Sequence, residues 1–104
     1  MKEKNIQEIQ FLEQGLQNIL FQKQAFQMEL SEAKEALTEL DNSKDEVFKI
    51  IGQIMIKSDK KKIKDEISSK IKLFELRISE LEKQDTSLTS RIEKIRDESL
   101  KKSK

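Results

Sequence analysis

Apolar residues recur at helical spacing along two long tracts of the chain and lose that spacing only in the middle. Counting heptads from Ile9, the a positions are Ile9, Leu16, Lys23, Leu30 and Leu37, and the d positions are Leu12, Ile19, Phe26, Ala33 and Leu40. Nine of these ten are apolar. A second series places Lys64, Ile71, Ile78, Asp85 and Ile92 at a, with Ile67, Phe74, Leu81, Leu88 and Ile95 at d, and eight of the ten are apolar. An apolar repeat of about 3.5 residues, held over several heptads with charged and amide side chains between, marks a coiled-coil seam rather than the broader stripe of a globular helix. The pattern predicts helices over residues 5–41 and 60–101.

Between the tracts, Asp41-Asn42-Ser43-Lys44-Asp45 reads as a solvated breaker. It is followed by residues 46–57, where the period changes: Val47, Phe48, Ile50, Ile51 and Ile54 are β-branched or aromatic, and Met55 and Ile56 extend the apolar run. Gly52-Gln53 offers a two-residue loop with glycine first, the order a type II′ turn prefers. A short β-hairpin is therefore predicted, with Ser58 or Asp59 placed to cap the second helix. The fold class is mainly α: a long antiparallel coiled coil in the order helix, β-hairpin, helix, forming one domain over residues 1–104. A register centred on residue 52 sets Leu37 opposite Ile67, Leu30 opposite Phe74, Leu16 opposite Leu88 and Ile9 opposite Ile95. It also brings Lys23 and Asp85, the polar exceptions within the seams, into neighbouring layers where they can meet and penalise slipped registers.

Composition narrows the picture. Charged residues make up 39% of the chain against 35% hydrophobic and 5% aromatic, too little apolar matter for an ordinary globular core. Proline is absent and glycine occurs twice, which suits long helices. With neither cysteine nor histidine, disulfides, thiolate chemistry, zinc-finger spacings and imidazole catalysis drop out, and no cofactor or metal is expected. The longest apolar runs are three residues, as at Ile54-Met55-Ile56, far short of a membrane span or a secretory h-region. A soluble, cytoplasmic protein is expected. The formal net charge of +1 hides an asymmetry: residues 1–40 carry four lysines and seven glutamates, the remainder 17 basic and 13 acidic residues. The two halves attract each other.

An isolated two-stranded hairpin is marginal in water, and its edges present unpaired N–H and C=O groups. Oligomerisation through Val47, Phe48, Ile50, Ile51, Gly52, Ile54, Met55 and Ile56, with coiled coils projecting from the resulting β-structure, follows from this pattern.

The segments from Phe26 through Glu29-Leu30-Ser31-Glu32-Ala33-Lys34-Glu35-Ala36-Leu37, then Val47-Phe48-Lys49-Ile50-Ile51-Gly52, then Lys70-Ile71 on through Phe74-Glu75, Arg77-Ile78, Leu81-Glu82 and Gln84, resemble the prefoldin β-type subunit, covering about residues 22–90. The coiled-coil strings recur in unrelated helices, whereas the helix, Val-aromatic-Lys-x-x-Gly hairpin, helix order is much more specific. Phe48 stands where that family usually has tyrosine, Ile51 where it often has valine and Asp85 where it tends to have glutamate. The resemblance implies a hexamer of two α-type and four β-type subunits. Their hairpins form a double β-barrel, and non-native client proteins are held at the coiled-coil tips and passed to a group II chaperonin. The single hairpin resembles the β-type, and the short chain sides with archaeal members.

For client binding, apolar residues off the seam are the informative ones. Ile6 and Leu20 fall at e, Phe11 at c, Phe21 at f and Leu100 at b, all in the half nearest the termini. Gly15 weakens helix propensity by about 1 kcal/mol relative to alanine, and Asn5, Ser99 and Lys102 replace apolar seam residues. The tips are thus expected to fray and to expose Ile9, Leu12, Ile92 and Ile95 too. Leu73, Leu76 and Ile63 are expected to pack against a neighbouring subunit or the barrel.

The lysine run at Lys57, Lys60, Lys61, Lys62 and Lys64 has no interleaved aromatic for base stacking and is flanked by Asp59, Asp65 and Glu66, which argues against a nucleic-acid patch. The carboxylates lie on exposed helical faces rather than in a water-excluding cleft, and no Gly-rich loop cradles a phosphate. The chain therefore reads as non-enzymatic, and the resemblance implies an ATP-independent holdase; the alternative is a scaffolding coiled coil without clients.

Overall fold

A computed structural model describes residues 2–43 and 47–102. Four elements follow in order: α1 (Glu3–Asn42), β1 (Val47–Ile51), β2 (Ile54–Ser58) and α2 (Lys60–Lys102). Each helix runs one or two residues beyond its predicted bounds at one end or both. The start of the hairpin region at Glu46, with Lys44 and Asp45 of the breaker, lies outside the described residues.

The helix ends are closed by local hydrogen bonds. Asn5 N and Ile6 N donate to the Lys2 carbonyl at 3.0 and 3.1 Å. After α1, Ser43 N donates to the Leu40 carbonyl at 3.2 Å, and Lys60 Nζ donates to the Ser43 carbonyl at 2.7 Å. A cation so placed also suits the negative end of the helix dipole. Of the two expected caps for α2, Asp59 does the work: its Oδ1 accepts from Lys61 N at 3.2 Å.

β1 and β2 pair antiparallel, from Val47 opposite Ser58 to Ile51 opposite Ile54. Gly52 has φ of +62°, and no non-glycine residue among those described has positive φ. A type I′ turn needs positive φ at both central residues, so Gly52-Gln53 fits type II′, as the glycine-first order predicts.

The described residues fall into two compact units, one comprising the chain up to Ala25 together with that from Arg77, the other Phe26–Leu76. In the first, Ile9, Leu12 and Ile92 form a buried cluster on which Leu16, Leu88 and Ile95 pack. Ile19, Ile78 and Leu81 are buried as well. These are the seam residues, and Ile9 with Ile95 and Leu16 with Leu88 share one cluster as the predicted register requires. Between the helices, Arg91 pairs with Glu8 at 3.1 Å and Arg96 with Glu13 at 2.8 Å. In the second unit, Leu40 is buried, and the Phe26 and Phe74 rings lie 6.2 Å apart, tilted by 40°, within the range for favourable aromatic pairs. Asp41 and Lys64 pair there at 3.1 Å. Glu8–Arg91 and Glu13–Arg96, with acid on α1 and base on α2, follow the charge asymmetry of the two halves. Each exposed pair contributes only about 0–1 kcal/mol, so the seam carries the stability.

One seam expectation differs. Lys23 does not reach Asp85; its Nζ lies 3.3 Å from Glu82 Oε1, while Asp85 Oδ1 accepts from Thr89 Oγ1 at 3.1 Å. A lysine has the length to leave its own layer for a solvent-facing carboxylate, avoiding the desolvation of a pair within the seam.

Candidate functional site

Side chains on successive strand residues alternate between faces, and paired residues share one. Phe48, Ile50 and Met55, with Lys57, therefore lie on one face of the hairpin; Val47, Lys49, Ile51, Ile54, Ile56 and Ser58 lie on the other. Lys49 Nζ sits 3.1 and 3.3 Å from the Glu66 carboxylate oxygens, tying that second face to α2. Both faces are apolar and both are in water: Ile50 is 67% and Met55 65% exposed, and Phe48, Ile51, Ile54 and Ile56 are also exposed. Val47 is half-buried. Such a hairpin has neither a fully covered face nor, as part of a two-stranded sheet, a paired outer edge among the described residues. Among the residues expected to face a neighbour, Leu73 and Leu76 are exposed and Ile63 is half-buried. Met28, exposed at heptad position f, belongs with them in this unit but was not singled out from the sequence. Its off-seam position was the available signal.

In the other unit the predicted residues divide. Phe11 is 74% and Phe21 66% exposed, and Ile6, Leu20 and Leu100 are exposed with them. Ile9, Leu12 and Ile92 are not: Ile92 is 4% exposed, all three are core, and Ile95 is half-buried against them. Where the tips were expected to fray, two polar seam residues complete each other. Asn5 Nδ2 donates to Ser99 Oγ at 2.6 Å, and Ser99 is buried. A polar pair that satisfies its hydrogen bonds closes a seam, where an unsatisfied one would open it. The Lys102 side chain lies outside the described atoms. Gly15 is likewise accommodated: a Cβ built there would meet Leu88 Cδ1 at 3.4 Å, so the helices approach closely at that point.

A feature not read from the sequence is the amide content of α1 beside the exposed phenylalanines. Gln10, Gln14 and Gln17 line a groove of about 650 Å³ together with Leu16, Leu20, Glu13 and Asp85. The signal was present as a run of uncharged residues at outward heptad positions. Among the described residues, no group of carboxylates is gathered as a metal site, and no helix is long and apolar enough to cross a membrane.

The family model for the prefoldin subunit matches residues 3–104. The chain belongs to the prefoldin subunit family. Among members of this chaperone family, it is 31% identical over 98 residues to prefoldin subunit beta of Methanothrix thermoacetophila, covering 92% of this chain and 82% of that protein. It is 40% identical over 58 residues to prefoldin subunit beta of Methanococcus maripaludis, covering 56% of this chain and 50% of that one. The crystal structure of the prefoldin beta subunit from Thermococcus strain KS-1 superposes with a TM-score of 0.87 at 31% identity, covering 92% of this chain and 86% of that chain. The family match over residues 3–104 thus extends beyond residues 22–90, on which the resemblance rests.

Proposed function

We propose that this prefoldin-family chain is a β-type subunit of an ATP-independent holdase. Its hairpin joins those of an α-type partner and of further copies of itself, in a heterohexamer of two α-type and four β-type subunits. Non-native proteins bind the coiled-coil unit carrying the termini and pass from there to a group II chaperonin in the cytoplasm. The observation that carries the reading is the exposure of Phe11, Phe21, Leu20, Ile6 and Leu100 around a seam that is otherwise closed. The helix pair does not need these side chains for its own stability, and each phenylalanine gains about 1.5–3 kcal/mol when a client covers it fully. Several such weak contacts, presented by coiled coils of one assembly, multiply through effective concentration without any single tight site. Release then needs no nucleotide, because each contact is individually labile. The hairpin's uncovered faces argue for assembly, since a scaffold rod has no use for a strand pair that interrupts its heptads.

The test is solution mass by light scattering, alone and with an α-type subunit, followed by aggregation of a denatured model protein without nucleotide. A defined hetero-oligomer that suppresses aggregation supports the holdase. A stable dimer of this chain that leaves aggregation unchanged would turn the assignment to a scaffold.

A further inference from the structure

Between Gln7 and Ala25, α1 carries six glutamines and Asn18 but only three charged residues, Glu8, Glu13 and Lys23. All three are neutralised by α2, through Arg91, Arg96 and Glu82 at 3.1, 2.8 and 3.3 Å. This stretch therefore presents no unpaired charge over about five helical turns, in a chain whose residues are 39% charged. The outward positions of α2 in the same unit are mixed, with Glu80, Lys83, Glu93, Lys94 and Asp97 on either side of the uncharged Thr86, Ser87 and Ser90. Propensity does not require the difference, because glutamine, glutamate and lysine are comparable helix formers.

Docking chemistry accounts for it. A carboxamide offers both a donor and an acceptor, the inventory of a peptide group, and it is covered at far lower cost than an ion. The groove beside this face has Leu16 and Leu20 for an apolar side chain and the amides of Gln10, Gln14 and Gln17 for a backbone. Two acids complete its lining. Glu13 is held by Arg96, whereas Asp85 accepts only from Thr89 Oγ1 and forms no ion pair among the described residues. The one unneutralised charge in the groove is negative, at a half-buried position where screening is reduced.

We propose that this groove seats an extended segment of a non-native polypeptide, hydrogen-bonding its peptide groups through Gln10, Gln14 and Gln17, and that Asp85 selects neutral or basic apolar segments over acidic ones. The proposal rests on the holdase reading and gives its clients a chemistry: backbone-exposed apolar stretches free of carboxylates, captured on the amide face of α1 beside Asp85 of α2.

The experiment measures fluorescence anisotropy of short leucine-containing peptides flanked by lysine, serine or glutamate, binding to the full chain in its assembled state at low and moderate salt. The glutamate peptide is expected to bind about 5-fold more weakly than the lysine peptide, the effect of an ion pair of up to about 1 kcal/mol, with the gap narrowing in salt. Asp85→Asn should erase the difference without changing helicity. Backbone N-methylation of the serine peptide, or Gln14→Ala with Gln17→Ala, should weaken binding several-fold. Equal binding of all peptides, a preference that survives Asp85→Asn, or indifference to N-methylation would each overturn the proposal. Aggregation of a denatured protein is followed in parallel. Suppression by the wild type with no peptide preference sinks the groove alone, whereas absence of suppression sinks the holdase reading and the groove with it.

Discussion

The unit bearing the termini and the unit bearing the hairpin both leave large apolar side chains in water, but for different physical reasons. In the first, the helices satisfy their own backbone, the seam of Ile9, Leu12 and Ile92 is closed, and Asn5 and Ser99 complete it. Phe11 and Phe21 are additions to a finished structure. In the second, the hairpin is unfinished: both faces around Ile50 and Ile54 are exposed, and a two-stranded sheet has outer edges that only another strand can pair. An apolar surface on a complete element can bind weakly and let go. An apolar surface on an incomplete one calls for permanent partners.

The comparison breaks most visibly at Ile50. Ile50→Asp is expected to abolish assembly, because burying an unpaired carboxylate costs several kcal/mol, while circular dichroism should show a chain still largely helical. Light scattering that finds the normal oligomer would mean the hairpin does not carry assembly. Next in size is Leu12→Ala, which opens a cavity in the closed seam and should lower stability by about 2–4 kcal/mol, read as a fall in Tm; a negligible change would show that the cluster is looser than its burial implies. Smaller in stability but larger in function is Phe11→Ser with Phe21→Ser: suppression of aggregation should drop several-fold with mass and Tm unchanged, as befits side chains outside a finished structure. Loss of Tm in this variant would put them in the fold instead. The smallest effect is at Gly15. Gly15→Ala should raise stability by about 0.5–1 kcal/mol, since the new Cβ comes to 3.4 Å from Leu88 Cδ1, at the margin of ordinary contact. A decrease would show the helices pressed together there.

Much of this architecture was legible because heptads and turn chemistry are local. The a and d positions named the buried residues, Gly52 announced its turn, and Asp59 its cap. The partner of Lys23 was not legible, because heptad layers specify which side chains are near and not which way a long one turns; Lys23 went to Glu82 and left Asp85 to the groove. The state of Asn5 and Ser99 was misjudged for a related reason. Each alone is a polar defect in a seam, and only their 2.6 Å meeting makes them a closure.

By itself, the sequence determined two helices, one hairpin, the register of the seam and the family to which the chain belongs, because periodicity, capping and glycine placement act over a few residues. The tertiary structure alone decided which expected contact residues are available, burying Ile9, Leu12 and Ile92 while leaving Phe11 and Phe21 outside, and it neutralised Glu8, Glu13 and Lys23 to leave an uncharged face on α1. Exposure and charge pairing depend on atoms brought together from positions some 60 to 80 residues apart, and no local pattern encodes which of them will meet.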